Sequence, residues 1–196
     1  MRAFLRDVLT TLILTGVIYF GLQITVQPYK VYESCMEPNF LEGQRVIVNK
    51  VVYKFHEPER GDVIIFHPPA PYSLDETPFI KRIIALPGDT VEVRNGAVYV
   101  NGSKLNEPYI KEPVTYTFNL ETVKGGYFVL GDNRNNANDS HFWGTVPREN
   151  IIGKTWLSYW PPGKFGLTVN YPLKEQVNST TAKIKPSNEV HILRFD

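Results

Sequence analysis

An uncharged apolar run near the start of the chain sets the first limit on its fold. Residues 8–26 read VLTTLILTGVIYFGLQITV. A helix of about 20 apolar residues can cross the hydrocarbon core of a bilayer, and this run has that length. Because threonines and Gln23 moderate its hydropathy, the alternatives are an amphipathic core helix and a cleavable signal peptide. The run continues into QPYKVYE without a small-x-small cleavage site, which favours an anchor that is retained.

The charges beside this run predict its orientation and divide the chain. Arg2 and Arg6 precede it, which favours a cytoplasmic N-terminus and places the chain from about residue 27 outside the cytoplasm. Lys30, on the far side, acts against that orientation. The predicted organisation is a cytoplasmic tail (1–7), a single transmembrane anchor (8–26), an extracytoplasmic β-rich domain (27–171) and a polar C-terminal tail (172–196).

The chain that follows the anchor has the pattern of short strands. Segments such as QRVIVNKVVYKF and GAVYVNGSKL alternate and are rich in β-branched residues. Asn95-Gly96 and Asn101-Gly102 predict hairpin turns, since Asn and Gly tolerate positive φ. Residues 59–62 (ERGD) and 86–89 (LPGD) predict turns between strands. The predicted fold class is therefore mainly β.

Three segments depart from this pattern. Residues 71–78 and 104–125 lack clear alternation and are expected to form surface loops or an inserted subdomain. The chain from about Pro172 is rich in Ser, Thr and Asn, and we expect part of it to be disordered.

Charge and residue usage exclude several classes of partner and cofactor. The 21 Lys and Arg nearly balance the 20 Asp and Glu, so nothing in the charge favours nucleic acid as a partner. One cysteine allows no internal disulfide and no cysteine-based zinc site. The four histidines are scattered without metal-binding spacing. We therefore expect no metal and no other cofactor.

Cys35, the one cysteine, lies in the stretch VYESCMEPNFL. A lone cysteine is often a small buried hydrophobe. Lipid attachment is poorly supported, because Tyr32, Glu33 and Ser34 do not match the residues that precede a lipidated cysteine. The position between an extended segment and Pro38, just beyond the anchor, suits a loop that exposes a reactive side chain. Cys35 is thus a candidate nucleophile.

Lys81 lies in FIKRIIAL, where strand alternation places it on the same face as Phe79 and Ile83. One interpretation is a snorkelling lysine, with a buried stem and a solvated amine. The other is a desolvated amine, whose charged form burial disfavours, acting as a general base. Arg82 points to the opposite face and would need an acidic partner.

Residues 131–144, GDNRNNANDSHFWG, follow the apolar strand YFVL and are dense in Asp, Asn and Arg. The segment fits a surface loop with Asx turns. If Arg82 pairs with Asp132 or Asp139, the same segment becomes a brace behind a site, fixed by charge-assisted hydrogen bonds.

Together these segments resemble the type I signal peptidases, membrane-anchored serine proteases of the Ser-Lys type. The family's first box reads roughly Pro-Ser-Gly-Ser-Met-x-Pro-Thr-Leu, and residues 32–40 read YESCMEPNF. The later boxes are GQRVIVNK, KRIIALPGD and the segment at 131–144. The four boxes stand in the family's order behind an anchor, and the resemblance covers about residues 5–165. The DSH and RNN runs resemble cyanobacterial and plastid members.

The resemblance implies a function and a site. The family removes N-terminal signal peptides from exported preproteins at the outer face of the membrane, which here would be the plasma or thylakoid membrane. Its nucleophile is activated by an unprotonated lysine, and substrates bind as an added β-strand. Val31, Phe79 and Ile80 fall where the family lines its substrate pockets. The expected partners are signal peptides and the lipid bilayer, and the expected fold is a signal-peptidase-type β-rich domain with one transmembrane helix.

Three positions depart from the family at the chemistry. Cys35 replaces the nucleophilic serine, Glu33 the serine that donates to the oxyanion, and Ala137 the serine that orients the lysine. A thiol keeps nucleophilic capacity, whereas a carboxylate beside a developing oxyanion repels it. The residues that match the family are the general base and five supporting positions: Lys81, Arg82, Asp132, Arg134, Asp139 and Ser140.

Two functional hypotheses follow. The chain is an active endopeptidase that uses Cys35 as nucleophile and Lys81 as general base. Alternatively, it is a catalytically impaired signal-peptidase paralogue that binds signal peptides or a membrane partner.

Overall fold

The N-terminal apolar run lies in one long helix in the computed structural model, which describes residues 1–72, 77–171, 173 and 175–177. The helix, α1, spans Arg2–Thr25, so it begins before the predicted anchor and includes most of the predicted cytoplasmic tail. Ala3–Thr25 is long and apolar enough to cross a membrane, with a mean hydropathy of 1.8, and its apolar window is not buried against the rest of the protein. A core helix would be buried, so the structure disfavours that alternative.

The described residues beyond α1 contain eleven strands and a few short helical turns, which confirms the predicted mainly β class. The strands are β1 (Val26–Lys30), β2 (Arg45–Asn49), β3 (Val63–Phe66), β4 (Phe79–Ala85), β5 (Thr90–Arg94), β6 (Ala97–Val100), β7 (Ser103–Lys104), β8 (Phe118–Thr122), β9 (Phe128–Leu130), β10 (Ile151–Trp160) and β11 (Gly166–Leu167). The helical turns are α2 (Val52–Phe55), α3 (Ser140–Trp143) and 3-10 turns at Ser34–Met36, Arg148–Asn150 and Pro162–Lys164.

The strands form two antiparallel sheets. The larger has the order β1-β2-β10-β3-β4-β9, with β11 also paired to β10. The smaller has the order β7-β6-β5-β8. α1 continues directly into β1 at one edge of the larger sheet, so that edge stays next to the apolar helix. Strand β4 lies near the other edge, between β3 and β9, and it carries Lys81 and Arg82.

The predicted turns form where the sequence places them. Asn95 and Gly96 have φ values of 52° and 71° and connect β5 to β6. Asn101 and Gly102 have φ values of 50° and 76° and connect β6 to β7. Positive φ at both central residues is the geometry that Asn-Gly tolerates best, so these local signals were sufficient.

The segment at 104–125 corrects the expectation of a surface loop. It supplies β8, which pairs with β5, and it buries Leu105, Tyr109, Val114 and Val123 in the core between the sheets. The segment is thus a packed part of the smaller sheet, which it completes together with β5 and β6. In the other segment, residues 73–76 lie outside the described part of the chain.

The packed domain also extends past residue 171, where composition placed its boundary. Leu173 and Val177 are buried and pack in the same core as Leu130 and Tyr109. Two apolar side chains in an otherwise polar stretch gave too weak a pattern to predict this. The predicted disordered tail from residue 178 onward lies outside the described residues.

Leu173→Ala is expected to destabilise the domain by about 2–4 kcal/mol, because it removes a fully buried side chain and leaves a cavity. Thermal unfolding of the full chain in detergent measures this change. The neighbouring Glu175 is exposed, so Glu175→Ala is the matched control and should leave the unfolding temperature unchanged. Equal unfolding temperatures for Leu173→Ala and the parent would contradict the buried position.

Candidate active site

Cys35 and Lys81 lie in direct contact inside the protein. Cys35 is in the 3-10 turn Ser34–Met36 and is 2% exposed, and Lys81 on β4 is fully buried. The Lys81 Nζ lies 2.9 Å from the Cys35 Sγ. The Cys35 thiol also lies 3.7 Å from the carbonyl oxygen of Ile80. The amine of Lys81 does not reach solvent, so the snorkelling interpretation is wrong and the desolvated interpretation fits.

Burial dominates the electrostatics of the thiol. Desolvation raises the pKa of Cys35 above its ordinary value, and the nearby charge and hydrogen bond of Lys81 oppose this in part. The charges of Glu33 and Asp139 raise the pKa further. Because the thiolate is disfavoured, the thiol needs a base to take its proton, and Lys81 is the group within hydrogen-bonding distance.

A buried ion pair holds β4 against the loop at 131–144. Arg82 donates from Nε to Oδ1 of Asp132 at 2.8 Å and from Nη2 to Oδ2 at 2.7 Å. A third donor, Nη1, reaches the carbonyl oxygen of Gly61 at 2.9 Å. Arg82 is 1% exposed and Asp132 is fully buried. Of the two acidic partners that the sequence offered, the structure selects Asp132.

A second ion pair fixes the same loop from the other side. Arg134 makes a bidentate pair with Glu107, at 2.9 and 2.5 Å, and its Nε donates to the carbonyl oxygen of Gly131. Both side chains are almost completely enclosed. The sequence identifies Arg134 as a supporting residue but gives no signal for Glu107, which lies in the segment predicted as a surface loop or an inserted subdomain.

Asp139 and Ser140 support the backbone of the loop and have no hydrogen bond to Lys81 in the described structure. Asp139 accepts from the backbone N–H of Gly131 at 3.0 Å and contacts the ring of His141 at 2.6 Å. The Ser140 hydroxyl accepts from the backbone N–H of Val129 at 2.9 Å. Ser140 therefore ties the loop to β9, the strand beside β4, and Asp139 fixes the first residue of the loop.

The loop and the nucleophile turn meet at Gly131. A Cβ at this position would lie 2.5 Å from the carbonyl oxygen of Cys35 and 2.6 Å from the Cβ of Ala137. That same carbonyl oxygen accepts from the backbone N–H of Asn133 at 2.9 Å. Asn39, which sequence analysis missed, donates to Oδ2 of Asp132 at 2.8 Å and so joins the nucleophile segment to the ion pair.

Two cavities border the Cys35 thiol. The first has a volume of about 30 Å³, and its lining includes Tyr29, Cys35, Phe79, Ile80 and Lys81. This is room for a group of about the size of a methyl. Val31, the other predicted substrate-binding residue, is fully buried and packs in the same cluster as Cys35 and Ile80.

The second cavity is a wider groove of about 550 Å³. Its lining includes Glu33, Glu42, Asn136, Ala137 and Cys35. Among the described residues, no group of three or more His, Cys, Asp or Glu side chains could hold a metal ion.

Comparison with known proteins places this geometry in a family. The family model described as signal peptidase, peptidase S26, matches residues 4–160. The chain is 44% identical over 172 residues to a probable signal peptidase I-1 of Synechocystis sp., covering 83% of this chain and 86% of that protein.

The chain belongs to the signal peptidase family.

Other members of the signal peptidase family extend the comparison. The thylakoidal processing peptidase 1 of Arabidopsis thaliana is 42% identical over 152 residues, which cover 73% of this chain and 44% of that longer protein. The crystal structure of a signal peptidase I from Enterococcus faecalis V583 is 35% identical, with a TM-score of 0.44, and covers 50% of this chain and 97% of its own.

The three positions predicted from the sequence to depart from the family pattern lie near one another in this structure. Glu33 is exposed and lines both cavities, directly before the turn that carries Cys35. Ala137 lines the groove and packs in the same cluster as Cys35. Glu33, Cys35 and Ala137 therefore all line the groove.

The raised pKa of Cys35 has a direct test, since the chain holds one cysteine. We expect the rate of alkylation by iodoacetamide to rise with a midpoint pH above that of a free cysteine, because burial disfavours the thiolate. Lys81→Met removes the charge that lowers the pKa and should move the midpoint higher still. Lys124→Met, a change at an exposed lysine, should leave it unchanged. A midpoint near neutral pH in the parent would instead indicate a resting thiolate–ammonium pair.

Proposed function

We propose that this protein is a membrane-bound endopeptidase that removes N-terminal signal peptides from exported preproteins. Cys35 is the nucleophile and Lys81 the general base. The observation that carries the proposal is the 2.9 Å contact between the Lys81 Nζ and the Cys35 Sγ in a site from which solvent is almost excluded. Membership of the signal peptidase family and the printed names of its relatives support the choice of substrate.

The reaction follows from the position of the two groups. Neutral Lys81 takes the thiol proton while the sulfur attacks the carbonyl carbon of the scissile bond. The tetrahedral intermediate collapses, the C–N bond breaks, and the leaving amine takes the proton from the Lys81 ammonium. Water, deprotonated by Lys81, then hydrolyses the thioester and returns the thiol. Each proton transfer uses the same amine, so the mechanism needs no histidine.

An open strand edge supports peptide binding beside the nucleophile. Strand β9 pairs with Arg82, Ile83 and Ala85 of β4 but with none of residues 79–81. On that side no described strand pairs with Phe79, Ile80 or Lys81, while β3 pairs with them on the other. An extended peptide can add to this edge, so that alternate side chains enter the small cavity. Its volume favours small residues before the scissile bond.

Membrane attachment is part of the same proposal. α1 spans the bilayer with its N-terminus in the cytoplasm, and the domain from residue 27 lies on the extracytoplasmic side. Relatives from a cyanobacterium and from chloroplasts support the plasma or thylakoid membrane as its location.

A second candidate function is signal-peptide or membrane-partner binding without efficient cleavage. The observation that favours it is Glu33, which lines the small cavity and whose charge raises the pKa of the Cys35 thiol. The sequence resemblance implies that this residue stands at the family's oxyanion-donor position. Loss of one oxyanion donor lowers the rate by about 10²–10³. Both functions use the same cavity and strand edge, so binding alone does not distinguish them. A measurement of turnover does.

Cleavage of a preprotein by the purified full chain in detergent tests the dyad. The parent should cleave, Cys35→Ala should have no measurable turnover, and Lys81→Met should lose at least about 100-fold in kcat because the general base is gone. Thermal unfolding of each variant checks that the fold is retained. If the parent binds a fluorescent signal peptide but does not cleave the preprotein, the result contradicts the peptidase function and supports the binding function.

Restoring the serines should raise activity. The triple variant Glu33→Ser/Cys35→Ser/Ala137→Ser regains an oxyanion donor and a partner for Lys81. We expect Glu33→Ser alone to increase kcat by on the order of tenfold or more, since it removes the repulsion and adds a hydroxyl. Glu121→Ser, at an exposed position on β8, is the matched control. A Glu33→Ser variant with parental kcat would show that this carboxylate does not face the oxyanion.

A further inference from the structure

The two cavities adjoin at Cys35, and this arrangement can orient a substrate. Both are lined by Cys35 and Glu33, and otherwise they share no lining residue. A peptide whose scissile carbonyl lies at the sulfur must therefore place its two halves in different cavities. The small cavity takes the residue before the scissile bond, because its lining is mainly apolar and aromatic and its volume is about 30 Å³. The groove of about 550 Å³ is left for the residues that follow the bond.

The groove has a one-sided charge. Its lining includes the carboxylates of Glu33 and Glu42 and the amide side chains of Asn135, Asn136 and Asn138, and it includes no Lys or Arg. Glu33 and Glu42 are exposed, and neither forms an ion pair with a described residue. The next acidic side chain along the segment, Glu37, is different, because it pairs with Lys111 at 3.1 Å.

The amide groups are largely engaged already, which leaves the carboxylates to select the ligand. Asn135 Oδ1 accepts from the backbone N–H and the hydroxyl of Thr115, and its Nδ2 donates to Pro113. Asn136 donates to the hydroxyl of Ser34 at 3.1 Å. These bonds fix the wall of the groove. The unpaired negative charge of two carboxylates then favours a positively charged occupant.

We propose that Glu33 and Glu42 are specificity-determining residues that select substrates with a basic residue among the first positions after the scissile bond. The inference rests on the proposed peptidase function and deepens it. It gives the Glu33 carboxylate a role in substrate selection, which the absence of a serine at this position does not by itself explain. The substrate class is a preprotein whose mature part begins with a Lys- or Arg-containing segment.

The size of the effect follows from the exposure of the two carboxylates. An exposed charge pair contributes modestly, so each carboxylate is expected to change kcat/KM by about two- to fivefold. A peptide with Glu at the same position meets repulsion instead. The combined discrimination between Lys and Glu peptides is therefore about tenfold at low ionic strength, and it should shrink as salt screens the groove.

Matched peptides test this selection. Three peptides share one signal sequence and carry Lys, Ala or Glu at the first two positions after the scissile bond. With the parent, kcat/KM should fall in the order Lys, Ala, Glu. Glu33→Gln/Glu42→Gln should bring the Lys-to-Glu ratio close to one, and Glu33→Lys/Glu42→Lys should invert it. The Lys-to-Glu ratio of kcat/KM is the readout, because repulsion between Glu33 and the developing oxyanion changes the rate for all three peptides equally.

Glu121→Gln is the matched control, since this exposed glutamate lies on β8 in the smaller sheet and should keep the parental ratio. Equal cleavage of all three peptides by the parent would overturn the selection and leave the peptidase function standing. If the parent cleaves none of them, the peptidase function fails. The affinities of the same three peptides, measured by fluorescence anisotropy, then decide the selection: a Lys-to-Glu preference that the double Gln variant abolishes supports it, and equal affinities overturn it.

Discussion

The bidentate pair between Arg82 and Asp132 connects the two halves of the site. Lys81 and Arg82 are consecutive on β4 and point to opposite faces, so fixing the guanidinium also fixes the amine. Asp132 begins the loop whose next residue, Asn133, holds the Cys35 carbonyl. Removing one partner of such a buried pair costs about 3–5 kcal/mol, because the other charge is left without compensation. The 2.9 Å contact between Lys81 and Cys35 thus depends on an ion pair to which neither side chain belongs.

The burial of the site acts against the proposed role of Cys35 as nucleophile. Burial disfavours the thiolate and raises the pKa of Cys35. A serine in the same position would need a base in any case. A cysteine in this site therefore loses much of the advantage that a thiol has in a polar, positively charged environment. In the proposed reaction, the chemistry of Cys35 would therefore resemble that of a serine more than that of the cysteine in an ion-paired cysteine protease.

The sequence predicted the parts of the fold that depend on neighbours in the chain. The Asn-Gly hairpins and the apolar helix follow from local pattern, and both are present in the structure. For Lys81 the local pattern left two interpretations, and its burial in the structure decides between them. Local pattern could not supply the partners that lie far away in the sequence. Glu107 pairs with Arg134 across 27 positions, and Asn39 reaches Asp132 across 93. The sequence limits the acidic partner of Arg82 to Asp132 or Asp139. The tertiary structure decides between them, because it places Asp132 against the guanidinium.

Under the proposed function, Glu33 affects two properties at once because of its position. It directly precedes the turn that carries Cys35 and lines both cavities. In the proposed reaction it would therefore lie beside the reacting carbonyl and beside the path of the leaving segment. A carboxylate there opposes the negative charge that develops on the carbonyl oxygen, which lowers the rate for every substrate. A positive charge just beyond the scissile bond would screen that repulsion for substrates that carry it. Slower turnover and narrower selection then have one physical origin, and a peptidase with this residue would process a restricted set of preproteins.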